Sequence, residues 1–319
     1  MTDRYFSFNR YAAERFGQKV YKLALSGGMT CPNRDGTLSY GGCIFCSDGG
    51  SGDFAEPMCE SVSTQIDKAK KRVASKMTEG KYIAYFQSYT NTYAPAEYLK
   101  KLFGEALSHP DVVALSVATR PDCLPDEIVS LLGELNCIKP VFVELGLQTA
   151  DDEIARLINR GYSLPVYDNA VKRLKRAGLN VVTHLILGLP EESPSSMLRG
   201  VIHAAECGSD GVKLQLLHVL KNTPMEKLYL SGQYECLSRE RYIEILGDAI
   251  NILPENIVIH RITGDAPKKL LVAPLWSADK KAVLNAVYRS FEQRNVIQGS
   301  LYGKTEKVLT NYSPAQQKR

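Results

Sequence analysis

The stretch GGMTCPNRDGTLSYGGCIFC, residues 27–46, carries three cysteines in a glycine-rich segment. Eleven residues separate Cys31 from Cys43, and two separate Cys43 from Cys46. A Cys-x-x-Cys pair places two thiolates on one ion or cluster, and glycines let a loop wrap closely around a bulky inorganic group. Three thiolates can bind three irons of a four-iron cube and leave the fourth open. The pattern favours such a [4Fe–4S] cluster on these cysteines.

Two other kinds of site fit the same cysteines. A structural zinc site has four ligands, and Cys59, thirteen residues beyond Cys46, could supply the fourth thiolate. A thioredoxin-like redox pair is the other alternative, but it leaves Cys31 unexplained. The segment follows the first predicted strand, at the carboxyl end where barrel sites form, and this placement favours the cluster.

Short apolar runs alternate with amphipathic stretches along the chain. The predicted strands are 21–26, 82–87, 112–119, 141–148, 180–188, 211–219 and 255–262. The predicted helices lie near 61–77, 95–108, 125–135, 165–177, 194–207 and 238–252. Near-continuous apolar strands that alternate with helices are typical of parallel βα units. We therefore expect an α/β fold with a partial (β/α)6 TIM-type barrel, an open doubly wound sheet being the alternative.

Composition bounds the class of protein. With 319 residues, 44% of them hydrophobic and 23% charged, the chain can form one large domain. We expect residues 1–254 to form the barrel with an N-terminal segment, and residues 255–319 a C-terminal extension. The net charge of +4 permits a nucleic-acid partner without requiring one. No run of eighteen apolar residues and no signal core occur, so we expect a cytoplasmic protein without a membrane span.

Seven phrases together are similar to a known family. They are CPNRDGTLSYGGCIFC (31–46), AYFQSYTNTYAP (84–95), ATRPDCLPD (118–126), ELGLQTA (144–150), INRGY (158–162), HLILGLPEE (184–192) and VIHRITGD (258–265). The chain resembles the radical S-adenosylmethionine (SAM) superfamily, and more closely the YhcC/YtqA-type proteins, over nearly its whole length. The long first gap between cysteines departs from the usual spacing of the superfamily and is shared by the Elongator catalytic subunit.

The resemblance implies a second cofactor and its chemistry. SAM would chelate the open iron, and an electron from the cluster would cleave it to methionine and a 5′-deoxyadenosyl radical. A flavodoxin or ferredoxin would supply that electron. By analogy with relatives, the SAM-binding residues would be Phe45, Gln87, Ser88, Tyr89, Thr90, Thr119, Gln148, Arg160 and His184.

Roles follow from the resemblance for several of these residues. Phe45 would lie beside the adenine, and Arg160 would pair with the SAM carboxylate, which suits its planar fork. Residues 87–90 stand where radical SAM proteins commonly have a Gly-Gly-Glu segment that binds the amino group of SAM. The resemblance therefore does not indicate which atom of residues 87–90 makes this contact. Each position also has an ordinary alternative: a core aromatic, a polar turn, a solvent-facing arginine or a satisfied core histidine.

Later polar residues admit two interpretations. Lys213, Gln215 and His218 could face the barrel mouth or pack structurally. His260 and Arg261 could line the substrate entrance, and the Gly-Asp step after them is equally a simple turn.

The resemblance also implies a substrate. YtqA-type proteins are linked to carbon 5 of wobble uridine-34 in tRNA, at the step from carboxymethylaminomethyl to aminomethyl, after which a separate methyltransferase acts. No acetyltransferase segment follows the predicted barrel, so we expect no Elongator-type carboxymethylation. The alternatives are a radical SAM enzyme on a small molecule and a non-catalytic RNA-binding protein with a structural zinc site.

Overall fold

A seven-stranded parallel sheet forms the centre of the molecule. The computed structural model describes residues 4–75 and 79–312. The strands of the described residues are Val20–Leu25 (β1), Lys81–Phe86 (β2), Val112–Thr119 (β3), Val141–Gln148 (β4), Asn180–Leu187 (β5), Gly211–Leu216 (β6), Val219–Leu220 (β7), Val258–Arg261 (β8) and Leu271–Ala273 (β9). The main sheet runs β1-β2-β3-β4-β5-β6-β8, and each neighbouring pair is parallel. β7 and β9 form a separate antiparallel pair.

Helices connect the strands and cover the outside of the sheet. In the described part of the chain they are Phe8–Phe16 (α1), Val62–Val73 (α2), Ala96–Ser108 (α3), Asp126–Asn136 (α4), Asp152–Leu157 (α5), Leu164–Arg176 (α6), Pro194–Glu206 (α7), Pro224–Leu230 (α8), Arg239–Ile252 (α9), Lys280–Gln293 (α10) and Thr305–Thr310 (α11). Helix α6 shows why they form: Tyr167, Ala170, Val171 and Leu174 give it one buried face. The end of the predicted helix 61–77 lies outside the described residues.

The sheet curls into a half-barrel. β1 and β8 are its two edge strands, yet Lys22 Nζ on β1 lies 3.3 Å from His260 Nδ1 on β8. Helix α1 packs at this seam, where the Phe8 ring stacks 4.7 Å from the His260 ring. Opposite edges can meet in this way only when the sheet bends around its interior. The predicted partial barrel is therefore confirmed, and the C-terminal segment adds a seventh strand, β8.

The interior of the half-barrel is layered. At its lower end, Ile83, Ala114, Phe142 and Val182 form a fully buried apolar plug beneath α1. Inward-facing residues two positions further along these strands are polar or charged, because side chains on one face of a strand recur every second residue. The site therefore lies between this plug and the loops at the carboxyl ends of the strands.

Two further predictions concern the domain boundary and the absence of a membrane span. The boundary between residues 254 and 255 stays a prediction, and it falls just before β8, which pairs with β6. None of the helices in the described ranges is long and apolar enough to cross a bilayer.

Candidate functional site

The three cysteines share one cavity at the carboxyl ends of the strands. Cys31, Cys43 and Cys46 all line it, although their loop runs between β1 and α2. The sulfurs of Cys43 and Cys46 are turned away from solvent, and burial raises the pKa of Cys43 to about 12. Bound metal ions deprotonate coordinating thiols outright, which overcomes such a penalty.

Side chains within the loop hold it against the barrel. Arg34 donates through Nη2 to the carbonyl oxygens of Cys46, at 2.9 Å, and Ser47, at 2.6 Å. Asn33 donates through Nδ2 to the Asn159 carbonyl at 2.6 Å, and the same nitrogen lies 3.7 Å from Cys43 Sγ. The Arg34 bonds hold the backbone that follows the Cys-x-x-Cys pair, and the Asn33 bond ties the loop to the chain after α5.

Glycine is required where the loop meets the end of β2. Gly50 has φ +57°, and a Cβ there would lie 2.1 Å from the Tyr89 ring. That ring cannot move aside freely, because the Tyr89 hydroxyl donates to the Asp48 carbonyl and its backbone N–H donates to Gly50 O at 2.8 Å. Close approach of the loop to Tyr89 therefore depends on the missing side chain.

The chemistry of the donor set suits a four-iron cluster. Cys31, Cys43 and Cys46 line one cavity, and no fourth cysteine lines it among the described residues. Three thiolates suffice for three irons of a cube, whereas a structural zinc site takes four ligands. In the described ranges, the potential ligands that lie within 4.8 Å of one another are Asp168, His203 and Cys207, outside the barrel, so at least two of the three loop sulfurs are farther apart than that.

Most of the predicted SAM-binding residues meet in the cysteine cavity. Those that line it are Phe45, Gln87, Tyr89, Thr90, Thr119, Gln148 and His184. They come from the loop and from the ends of β2, β3, β4 and β5. The structure thus gathers around the cysteines seven positions that are up to 139 residues apart in sequence.

Arg160 and Ser88 do not join them. The Arg160 side chain is 1% exposed, and it donates to the carbonyls of Leu147 and Thr149 and to the Asp152 carboxylate. Its fork is occupied in holding the chain after β4, and it does not line the cysteine cavity, so the pairing with the SAM carboxylate stays a prediction. Ser88 is buried against Gly52 instead of lining the cavity.

The floor of the cavity carries a charged layer that local sequence motifs do not indicate. Glu144 is fully buried at its centre and accepts hydrogen bonds from Lys22 at 2.6 Å and Ser116 at 2.6 Å. It also contacts Lys213 and lies 2.7 Å from His184 Nε2. Polar residues inside otherwise apolar strands can be recognised in the sequence. The local sequence does not indicate which of these residues contact one another.

Burial and charge set the protonation of this layer. Burial by itself would raise the pKa of Glu144, but Lys213 and Lys22 hold it well below its usual value. Burial lowers the pKa of His184 to about 4, against the opposing pull of Glu144. Burial also lowers the pKa of Lys213 to about 7, against the opposing pull of Glu144. Near neutral pH the layer therefore holds an ionised Glu144 and a neutral His184 beside Lys22 and Lys213.

Comparison with known proteins agrees with this geometry. Residues 31–199 match the family described as Radical SAM superfamily, and residues 209–293 match the Radical_SAM C-terminal domain. The sequence is 45% identical over 303 residues to the uncharacterized protein YtqA of Bacillus subtilis (strain 168), covering 95% of this chain and 94% of that protein. It is 38% identical over 297 residues to protein YhcC of Escherichia coli (strain K12), covering 91% and 93%.

More distant similarity extends to Elongator-like proteins. A tRNA uridine(34) acetyltransferase of Methanocaldococcus jannaschii is 28% identical over 187 residues, 58% of this chain and 34% of that protein. The archaeal Elp3 structure of Methanocaldococcus infernus superposes with a TM-score of 0.64 at 21% identity, covering 89% of this chain and 67% of that one. This likeness shows a shared fold. The chain belongs to the radical SAM superfamily, whose enzymes use a [4Fe–4S] cluster and SAM, and within it to the YhcC/YtqA-type proteins.

Proposed function

We propose that Cys31, Cys43 and Cys46 hold a [4Fe–4S] cluster at which SAM is reductively cleaved. When bound, the cluster supplies the electron that breaks the carbon–sulfur bond of SAM and yields the 5′-deoxyadenosyl radical. The observation that carries this proposal is one cavity lined by the three cysteines together with seven candidate SAM contacts. A flavodoxin or ferredoxin would deliver the electron.

The residues of the chain bind and orient SAM. Phe45 offers a flat apolar surface for the adenine, and Gln87 and Thr90 offer oxygens for the SAM ammonium group. Thr119 would lie near the ribose. Gln148 has φ +60° and its Oε1 accepts from the Tyr162 hydroxyl at 3.1 Å, which fixes its amide at the cavity edge.

Three features of the cavity would protect the radical. The apolar plug closes the lower end of the half-barrel, which limits water and competing reactions. His184 lies at the floor with its ring held by Glu144, and burial keeps it neutral. Tyr89, bound to the backbone at Asp48, keeps the cysteine loop over the cavity.

We further propose that the substrate is tRNA bearing a carboxymethylaminomethyl group on carbon 5 of wobble uridine-34, and that the product is the aminomethyl form. SAM would be the two-electron oxidant: the carboxymethyl carbon would lose the equivalent of a hydride, giving methionine, 5′-deoxyadenosine and an imine, and water would hydrolyse the imine to the aminomethyl group and glyoxylate. A separate methyltransferase would then act on that product in the cytoplasm. Support comes from the similarity to a protein named tRNA uridine(34) acetyltransferase, and from the basic lining of the open side of the half-barrel.

The test is conversion of tRNA in vitro. Wild-type protein, reconstituted anaerobically with iron and sulfide, would be incubated with SAM, a reductant and tRNA isolated from a strain lacking this gene. We expect nucleoside mass spectrometry to show that the amount of carboxymethylaminomethyluridine falls and the amount of aminomethyluridine rises. With Cys43→Ser, neither amount should change. Full iron loading with an unchanged nucleoside profile would rule out this substrate.

A further inference from the structure

A second cavity opens on the side of the half-barrel, between β1 and β8. Its volume is about 690 Å³, within the range of small-molecule sites and sufficient for a nucleoside. Phe45, Tyr85, Gln87, Lys213 and Arg261 line both this lateral cavity and the cysteine cavity. A group entering from the side would therefore reach the place where the radical forms.

Cations exceed anions where the two cavities meet. Lys22, Lys213 and Arg261 lie there with one buried carboxylate, that of Glu144, which contacts both lysines. The lateral cavity has two other carboxylates. Asp53 accepts from the Ser47 hydroxyl at 2.8 Å, and Asp265 contacts Lys280 at 2.7 Å. The excess positive charge at the junction suits an anionic group.

Arg261 differs from the arginines near the cysteines. Within the described ranges it forms a single ion pair, a long one with 4.0 Å between Nη2 and Asp265 Oδ2. By contrast, Arg120 donates twice to Asp122 and once to the Arg160 carbonyl. The Arg261 side chain is 35% exposed and lines both cavities, so its fork of donors remains available to a ligand.

We propose that Arg261 binds the carboxylate of the substrate and so selects the carboxymethyl-bearing form. A guanidinium matches a carboxylate with two parallel hydrogen bonds, whereas the aminomethyl product has no group to accept them. Lys213, the register partner of Arg261 in the β6–β8 pair, lies beside it and contacts Glu144, so Arg261 is the residue left to meet the carboxylate. This inference rests on the proposed tRNA substrate and makes Arg261 a specificity-determining residue.

The experiment compares Arg261→Gln and Arg261→Lys with wild-type holoenzyme. The probes are two anticodon stem-loops, one with carboxymethylaminomethyluridine and one with aminomethyluridine. We expect wild type to bind the first more tightly, and Arg261→Gln to lose this discrimination, with KM rising about ten- to hundredfold and kcat changing less. Arg261→Lys should fall between, because it keeps the charge without the fork.

The control is Arg239→Gln, which alters an exposed arginine paired with Glu240 and should bind like wild type. Iron content and thermal melting would be measured for every variant. If Arg261→Gln does not fold, Arg261→Lys is used to test the inference. Wild-type KM and discrimination in both Arg261 variants would overturn the inference while leaving the tRNA reaction intact. Failure of wild type to convert either stem-loop or tRNA would instead count against the proposed function.

Discussion

The two ends of the cavity are built in opposite ways. Its rim is one continuous loop, Cys31 to Gly52, held by backbone hydrogen bonds and glycine contacts to Tyr89 and Ser88. Its floor is assembled from single side chains on separate strands, with Glu144 joined to Lys22 and Lys213. The rim depends on local backbone shape, and the floor depends on balanced charge. Damage to each should therefore have a different signature.

The largest expected effect is at the floor. Glu144→Gln removes the buried carboxylate that balances the buried Lys213 and the partly exposed Lys22, and breaking a buried ion pair in this way costs about 3–5 kcal/mol. We expect urea unfolding of the anaerobic protein to show a loss of that size. Glu240→Gln, at an exposed position on α9, is the matched control and should show no measurable change. A loss below about 1 kcal/mol at Glu144 would contradict a charge-balanced floor.

Next in size is a change at the rim that should affect iron more than stability. Gly50→Ala places a Cβ against the Tyr89 ring at 2.1 Å, so the loop cannot take its cluster-binding shape. We expect iron per chain after reconstitution to fall severalfold while the barrel stays folded by circular dichroism. Gly41→Ala is the matched control, since it also has positive φ, +82°, but meets nothing within 4 Å. Equal iron in the two variants would show that close packing on Tyr89 is unnecessary.

The smallest effect is the share that a single buried histidine contributes to the pH dependence of stability at the floor and lateral cavity. Burial lowers the pKa of His184 and of His218 to about 4, and that of His260 well below its usual value. As pH falls below about 6.5, the unfolded chain binds protons that the folded chain does not. The free energy of unfolding should therefore fall, by up to about 1.4 kcal/mol per pH unit for each histidine.

His218→Gln isolates one of these contributions. Asp265 opposes the burial effect on this histidine and Arg261 adds to it, so the variant removes a single titrating ring. We would measure urea unfolding between pH 6.5 and pH 5 and plot the free energy of unfolding against pH. The slope for the variant should be smaller than that for wild type by up to about 1.4 kcal/mol per pH unit, the value for one proton. A slope identical to wild type would mean that this histidine binds its proton equally well in the folded and the unfolded chain.

The sequence predicted the framework well because its signals are local. The predicted strands 112–119 and 141–148 coincide with β3 and β4, since buried parallel strands are near-continuous apolar runs. The cysteine segment was recognisable for the same reason, as its ligands lie within sixteen residues. Both features depend on neighbours in the chain.

The floor could not be predicted because its partners are distant in sequence. Lys22 and Glu144 are 122 residues apart, and Glu144 and Lys213 are 69 apart. Only the curl of the sheet brings them together. Arg160 is a different case: its motif predicts a contact with SAM, and in the structure its donors bind backbone carbonyls of the chain after β4.

The most direct test is metal analysis of anaerobically reconstituted wild type, Cys43→Ser and Cys137→Ser, the last altering an exposed cysteine outside the loop. We expect about four irons per chain, with visible absorption typical of iron–sulfur clusters, in wild type and Cys137→Ser, and a large loss in Cys43→Ser. About one zinc per chain without iron, or full iron retention in Cys43→Ser, would contradict the account.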